Sequence, residues 1–197
     1  MVKPTKLYWK AGKHVFRYLG GTSGYGLWYR QEDEVKLCGF TDADWAGSPT
    51  DRKSTSGGIF SIGSTTVSWY NRKQRSVALS SAEDEYMAAS LATCEAIWMR
   101  KILVGLFGSH LEPTVIYCDN QSCIKLSNNP VFHDRSKHID IRYHHIRDCV
   151  QRKVMLLSYI PMEDQDAYIL TKALTRRKFK YQRGGIGVAD NPYLFER

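Results

Sequence analysis

The first half of the chain passes from a helical to a strand-like spacing of apolar residues. Residues 3–19 carry an apolar stripe with the helical period, and a group of glycines follows that would end a helix. Four shorter runs then have the β-branched and aromatic content of strands: residues 25–29, 35–41, 57–62 and 65–70. Gly63-Ser64 joins the last two runs, which predicts a hairpin, and the last three runs together predict an antiparallel meander.

The second half predicts one long helix, followed by strands that alternate with helices. Ser80-Ser81 is a typical helix start, with Glu83 or Asp84 as a capping partner, and Gly108 ends the helix. Six residues at spacings of three and four predict its buried stripe: Met87, Leu91, Cys94, Trp98, Ile102 and Leu106. Strands are predicted at 114–118 and 154–160, and helices at 119–126, 138–152 and 163–174. This order predicts an α/β fold in which helices pack on a mixed sheet.

Composition adds information on charge and redox state. The 28 Lys and Arg residues exceed the 20 Asp and Glu residues, which gives a net charge of +8 and a pI near 9.2. This excess favours an anionic partner such as nucleic acid over a merely solvated basic surface. The five cysteines are odd in number and form no C-x-x-C pair, so free thiols in a reducing compartment are expected. Neither a signal peptide nor a membrane span is expected, because no apolar run is suited to either.

Three carboxylates fall at the ends of predicted elements. Asp42 follows the strand at 35–41, Asp119 follows the strand at 114–118, and Glu85 lies in the first turns of the long helix. Residues just beyond neighbouring strand ends can meet in one crevice. Carboxylates that converge in this way hold hard cations such as Mg²⁺, and two such ions ~4 Å apart can activate a water for phosphodiester hydrolysis. The alternative is that each acid is a turn or cap residue, and Asp119 could simply cap the helix that follows it.

A basic stretch lies between the hairpin and the long helix, and a loop is predicted there: Asn71, Arg72, Lys73, Gln74 and Arg75. Its cationic side chains could contact phosphates, while Asn71 or Gln74 could reach 2′-hydroxyls in a wide minor groove. The alternative is a solvated basic turn. Trp69 alternates with Val67, so we predict that it packs in the core.

Two other kinds of site are weakly indicated. His144, His145 and Cys149 lie on one predicted helix, but a zinc site needs about four ligands and no second Cys/His pair of suitable spacing accompanies them. Ser80-Ser81 lacks the strand–turn–helix setting of a nucleophilic serine. Neither zinc binding nor serine hydrolase chemistry is therefore expected.

Four long stretches carry a family resemblance. They resemble, in order and almost without gaps, the ribonuclease H domain of copia-type retrotransposon Pol polyproteins: Gly39–Phe60, Val67–Ser90, Val115–Asp148 and Asp164–Leu174. The similarity covers roughly residues 37–175. Residues 1–36 resemble the segment that tethers this domain to the reverse transcriptase, and residues 176–197 form a basic tail that we expect to be mobile.

The resemblance implies a ribonuclease H-like fold, a five-stranded mixed sheet flanked by helices. It implies hydrolysis of the RNA strand of RNA·DNA hybrids with two Mg²⁺ ions, for which Mn²⁺ can substitute. The family's catalytic metal ligands fall on Asp42, Glu85 and Asp119. The implied partners are the RNA·DNA hybrid and the reverse transcriptase portion of the polyprotein, in a cytoplasmic virus-like particle or the nucleus.

The sequence departs from the family pattern at a fourth acid. The family usually reads Gln-x-Ala-Asp-Ile-Leu-Thr-Lys, and here Tyr168 takes the place of that Asp. A phenol is a poor Mg²⁺ ligand because it is mostly neutral at pH 7. On a helix, Asp166 would be about 200° away from position 168 and Asp164 about 6 Å away along the axis, so neither easily replaces the missing acid. The alternative function is therefore an impaired or inactive RNase H-like module that binds nucleic acid.

Overall fold

The computed structural model describes residues 5–29, 36–108, 111–129 and 141–191. Its α-helices are α1 (Lys6–Gly20), α2 (Ser81–Phe107), α3 (Gln121–Asn128), α4 (His145–Gln151), α5 (Tyr168–Thr171) and α6 (Arg176–Gly185). Its strands are β1 (Tyr25–Leu27), β2 (Leu37–Ala43), β3 (Thr55–Ile62), β4 (Thr65–Lys73), β5 (Thr114–Cys118), β6 (Met155–Tyr159) and β7 (Val188–Asp190). Short 3₁₀ helices cover Ile141–His144 and Met162–Asp164.

The central sheet has five strands in the order β4-β3-β2-β5-β6. Strands β2, β3 and β4 form an antiparallel meander, whereas β5 runs parallel to both β2 and β6. The predicted α/β class, meander and mixed sheet are therefore confirmed. Because β2 and β5 are adjacent and parallel, whatever follows β5 lies beside the end of β2.

Helix α2 begins and ends as predicted, but its predicted buried stripe was right only at the start, where Met87 is buried and Leu91 packs against the core. Ser80 Oγ accepts from the Glu83 N–H, and Gly108 closes the helix in the left-handed conformation at φ 64°. Trp98 and Leu106, which the periodicity placed in the core, are 56% and 70% exposed. Smaller residues face the sheet instead: Ala88, Ala92, Ala96, Met99 and Leu103. Alanines let the helix lie close to the strands, which rotates the larger side chains outward.

The prediction that Trp69 packs in the core was also wrong. Trp69 is 58% exposed, while its neighbour Tyr70 is buried against Phe60, with ring centroids 6.5 Å apart. The register of β3 and β4 shifts by one residue next to Phe60, so Val67 is an extra residue in its strand. Such a bulge reverses which side chains face inward, and an alternation counted across it fails.

Two short strands, one near each end of the described chain, form a small second sheet. Strand β1 pairs antiparallel with β7, and α6 precedes β7. The predicted basic tail therefore contains a helix, Arg176–Gly185, and a strand, Val188–Asp190. Residues 30–35, near the end of the predicted tether, lie outside the described residues. Among the described helices, none combines the length and the apolar character needed to cross a bilayer.

Candidate active site

Asp42 lies inside β2 and is fully buried. Its Oδ1 accepts from Lys172 Nζ at 3.1 Å, and its Oδ2 accepts from the Thr171 hydroxyl. Burial raises the pKa of Asp42, and the nearby Asp119 carboxylate raises it further. Lys172 and Thr171 lower the pKa of Asp42, but they do not outweigh burial. Asp42 is thus a buried acid held by one cation and one hydroxyl.

Gly57 explains how Thr171 and Lys172 reach Asp42. Gly57 pairs with Asp42 across the β2–β3 ladder. A Cβ atom on Gly57 would lie 2.7 Å from Thr171 Cγ2 and 3.1 Å from Leu170 Cβ. The absence of a side chain at this position therefore allows α5 to approach the sheet, which brings the residues at its end onto the Asp42 carboxylate.

Glu85 lies in the first turns of α2 and is only 6% exposed. Its Oε1 accepts from the Ala43 N–H at 3.2 Å, whereas its buried Oε2 has no hydrogen-bond partner. Burial raises the pKa of Glu85 well above its usual value, and Cys118, Asp42 and Asp119 add to the rise. A buried carboxylate oxygen without a donor costs stability unless a cation or a proton compensates it.

Asp119 directly follows β5 and is half-buried. It does not cap the next helix, because Asn120 does so: Asn120 Oδ1 accepts from the Cys123 N–H at 3.0 Å. One carboxylate oxygen of Asp119 lies within 4.8 Å of a Glu85 oxygen and of Cys118 Sγ. The structure therefore brings Asp42, Glu85 and Asp119, from three elements, to one end of the sheet.

Tyr168 occupies the place where the family pattern has its fourth acid. It is 8% exposed, and Lys172 Nζ lies 3.7 Å from the centre of its ring. Burial is the main cause that raises the pKa of Tyr168, and the Asp119 and Asp42 carboxylates add to it. For Lys172, burial acts to lower the pKa, but Asp42 and the Tyr168 hydroxyl outweigh it and the net shift is upward. A neutral phenol and an ammonium group therefore stand beside Asp42.

Neither neighbouring acid replaces Tyr168. The helix predicted at 163–174 was wrong: this segment is a 3₁₀ turn, an irregular stretch and the four-residue helix α5. Asp164 accepts from the Tyr181 hydroxyl at 3.1 Å, and the Asp166 carboxylate faces Gly185 at the end of α6. Both acids therefore point toward α6.

Gln165 is a positioning residue that the sequence reasoning missed. Its side chain is fully buried and donates to the Thr41 carbonyl at 3.0 Å, next to Asp42. Its own carbonyl accepts from Gln182 Nε2 at 3.1 Å, which ties α6 to the same point. The family pattern Gln-x-Ala-Asp-Ile-Leu-Thr-Lys contains this Gln together with the Thr and Lys that correspond to Thr171 and Lys172. The pattern was therefore the available signal for all three residues.

The acid cluster is suited to divalent cations. Carboxylate oxygens are the ligands that Mg²⁺ and Mn²⁺ prefer. Lys172 pairs with Asp42, and burial first and the Asp119 carboxylate in addition raise the pKa values of both Asp42 and Glu85. The unpartnered Glu85 oxygen could serve as a ligand, and a bound cation would compensate its negative charge. Tyr168 adds no carboxylate, so the fit is better for one cation than for two.

The basic stretch was predicted as a loop, which was wrong for its first three residues. Asn71, Arg72 and Lys73 end strand β4. Gln74 is only 3% exposed and donates to Ser56 Oγ at 3.0 Å and to the Asp84 carbonyl at 3.1 Å. It therefore supports the sheet from inside and is not available to a ligand, contrary to the prediction.

The other four residues of the stretch are exposed: Asn71, Arg72, Lys73 and Arg75. Asn71 pairs with Gly57, which pairs with Asp42, so the stretch lies level with the acid cluster and two strands away, about 10 Å. The Asn71 amide also donates to the Leu170 carbonyl, which supports α5. The basic stretch and the acid cluster thus lie on the same edge of the molecule.

Relatives in plants match nearly the whole chain. It is 41% identical over 188 residues, 95% of its length, to the retrovirus-related Pol polyprotein from transposon TNT 1-94 of Nicotiana tabacum. It is 40% identical over 192 residues, 98% of its length, to the corresponding polyprotein from transposon RE2 of Arabidopsis thaliana. The chain is thus related, over nearly its whole length, to one segment of retrovirus-related Pol polyproteins. It spans only 14% and 13% of the lengths of these two relatives.

A solved structure shares the fold of the chain. The N-terminal RNase H domain of a Mycobacterium tuberculosis protein matches with a TM-score of 0.50 at 11% identity, over 77% of this chain and 98% of that one. This similarity establishes the ribonuclease H-like fold. No protein-family model matches the sequence.

Of the histidines weighed from the sequence, His144 and His145 are both described, and they do not share one site. His144 Nδ1 lies 3.0 Å from the Tyr86 hydroxyl, whereas His145 Nε2 lies 3.5 Å from Cys149 Sγ. Within the described ranges, the one group of three side chains spaced to share a metal ion is Glu85, Cys118 and Asp119.

We expect Asp166 to make the domain less stable as the pH rises. Burial and the nearby Asp164 raise the pKa of Asp166 to about 6, above its value in the unfolded chain. The folded form therefore holds this proton more tightly, so the stabilisation is complete below about pH 4 and is lost as the pH passes through about 6. Asp166→Asn should make the melting temperature depend less on pH between about pH 4 and about pH 6. Glu163→Gln, at an exposed neighbouring acid, should not; an unchanged slope in Asp166→Asn would contradict this account.

Proposed function

We propose that this domain hydrolyses the RNA strand of RNA·DNA hybrids with Mg²⁺, for which Mn²⁺ can substitute. The observation that supports it best is the convergence of Asp42, Glu85 and Asp119 from three elements, with a buried Glu85 oxygen that has no protein partner. Buried structural carboxylates are normally paired, so an unpaired oxygen of a helix carboxylate that lies beside two strand ends favours a ligand site.

Each side chain of the site has a part in this proposal. Asp42, Glu85 and Asp119 would hold a divalent cation, and a second cation would bind more weakly because Tyr168 supplies no carboxylate. Divalent cations, when bound, activate water for attack on the phosphodiester and stabilise the leaving oxygen. Lys172 and Thr171 fix both oxygens of Asp42, so this acid is oriented before any ligand arrives. The products would be 3′-hydroxyl and 5′-phosphate ends.

The exposed part of the basic stretch would position the hybrid. Arg72, Lys73 and Arg75 lie on the same edge as the acid cluster. Lys73 is already paired with Asp51 at 2.8 Å, and Arg72 is 4.0 Å from Glu95. Arg75 is therefore the cation that we expect to contribute most to phosphate binding.

Substitution of Arg75 should weaken hybrid binding in a salt-dependent way. Arg75→Gln is expected to lower the affinity and to reduce the slope of log affinity against log salt by about 1, since one phosphate contact releases about one counterion. Lys73→Gln is the matched control and should change the slope less, because Asp51 neutralises this ammonium group. Fluorescence anisotropy of a labelled hybrid across salt concentrations measures the affinity and its salt slope. Equal slopes in the wild type, Arg75→Gln and Lys73→Gln would contradict the assignment of Arg75 to phosphate binding.

A second candidate function is a hybrid-binding module with little or no activity. The contacts of Tyr168 favour it: the phenol replaces a carboxylate, and Lys172 lies against both the Tyr168 ring and Asp42. Such a module would keep the fold and the basic stretch without needing cations.

Incubation of a labelled RNA·DNA hybrid with the protein and Mg²⁺ distinguishes the two candidates. The enzyme cuts the RNA of the hybrid but not the same RNA alone or a DNA duplex. The module binds the hybrid and leaves the RNA intact. In either case we propose that the domain works together with the reverse transcriptase portion of a Pol polyprotein, inside the cell.

A further inference from the structure

Cys118 places a sulfur atom at the acid cluster that the proposed reaction does not use. It is the last residue of β5, fully buried, and immediately precedes Asp119. Its Sγ accepts from the Asn120 N–H at 3.4 Å. It is also a free thiol, so its sulfur can serve as a ligand.

We propose that Cys118, Glu85 and Asp119 form a binding site for a thiophilic divalent cation such as Zn²⁺. The sulfur and one carboxylate oxygen from each acid lie within 4.8 Å of one another. A tetrahedral Zn²⁺ separates such ligands by roughly 3.4–3.6 Å, so the three atoms need to close by at most about 1.4 Å. The fourth position remains open to water.

A second observation indicates that this group is a ligand site and not only a cluster of acids. Glu85 is 94% buried, and its Oε2 is without a partner. A cation held between Glu85 and Cys118 would satisfy that oxygen. Binding would break the S–H bond of Cys118, form a zinc–sulfur bond and release one proton to solvent.

The sulfur makes the site selective against the ions of the proposed reaction. Thiolate ligands prefer Zn²⁺, whereas Mg²⁺ and Mn²⁺ prefer oxygen. Asp42 is outside the group of three, and Lys172 and Thr171 contact its two oxygens. A cation drawn toward Cys118 would therefore occupy Glu85 and Asp119 without Asp42, and Zn²⁺ should inhibit. This consequence rests on the proposed function, whereas the binding site itself does not.

Titration of the metal-free full chain with Co²⁺ tests the site without any cleavage assay. We expect a near-ultraviolet sulfur-to-cobalt charge-transfer band that Zn²⁺ removes by displacement. Cys118→Ser should abolish the band, and Glu85→Gln, which keeps every thiol, should weaken Co²⁺ binding by at least about tenfold. Cys149→Ser is the matched control, since Cys149 is a buried thiol beside His145, and it should keep the band. A wild-type protein without the band, or a band that survives in a folded Cys118→Ser variant, would overturn the proposal. If Cys118→Ser does not fold, unchanged affinity in Glu85→Gln would overturn it.

Discussion

Replacement of Tyr168 by Asp is expected to raise hybrid cleavage on the order of 100-fold, because one further metal ligand supplies several kcal/mol of charge stabilisation. Tyr168 lies where the Asp119 and Asp42 carboxylates both influence its pKa, so a carboxylate there would face the same space. It would also face Lys172, which the phenol ring now covers at 3.7 Å. The measurement is the initial cleavage rate at saturating Mg²⁺.

Tyr168→Asn is the matched control for this gain. Asparagine has the shape of aspartate but no charge, so it reports the effect of removing the ring alone. We expect the Asn variant to stay close to the wild-type rate. Mn²⁺ binding, followed by electron paramagnetic resonance, should rise in the Asp variant and not in the Asn variant. Equal rates for both variants would show that the missing carboxylate is not what limits the domain.

The substitution Glu85→Gln should separate catalysis from stability, because it is expected to harm one and help the other. Cleavage should fall by a factor on the order of 10² or more, since a metal ligand is lost. The melting temperature of the metal-free protein at pH 8 should rise, because a buried charge with one unpartnered oxygen is removed. Mg²⁺ should stabilise the wild type and not the variant.

Glu95→Gln is the control for Glu85→Gln. Glu95 lies on the same helix and undergoes the same chemical change, but its nearest cation is Arg72 at 4.0 Å, away from the acids. Neither cleavage nor stability should change much. If Glu85→Gln lowers the melting temperature of the metal-free protein, the buried carboxylate is satisfied in a way that the structure does not contain, and the argument for a cation there fails.

The three acids could be predicted from sequence because their positions follow from local boundaries. Asp42 and Asp119 stand at the ends of two strands that have clear apolar runs, and such ends meet in any sheet where the strands are neighbours. Strand order was the only non-local fact needed, and a parallel pair joined through a helix is the expected connection. Their roles as metal ligands stay predictions.

The buried faces of β4 and α2 could not be predicted because periodicity does not reveal packing distance. In α2 the stripe through Ala92 and Ala96 and the stripe through Trp98 and Leu106 have the same helical period. Which of them faces the sheet depends on how closely the helix approaches. In β4 the bulge at Val67 reverses the alternation, and the sequence carries no local mark of it.

The contacts around Asp42 were beyond sequence reasoning for a different reason. Lys172 and Thr171 are 130 and 129 residues away from it along the chain. They reach it because Gly57 lets α5 approach and Gln165 anchors the segment to β2. The helix predicted at residues 163–174 gave wrong side-chain orientations for Asp164 and Asp166. Gln165 makes hydrogen bonds to Thr41 and Gln182 in this segment, and a continuous helix does not form.

The measurement that tests the central claim most directly is cleavage of a labelled RNA·DNA hybrid by the wild type in Mg²⁺ and in Mn²⁺, beside Asp42→Asn. The account predicts cation-dependent cleavage of the RNA strand that the substitution abolishes while hybrid binding persists. Asp42→Asn keeps the size of the side chain and removes the charge that Lys172 now balances. Cleavage that continues in Asp42→Asn, or hybrid bound without cleavage by the wild type in either cation, would contradict it.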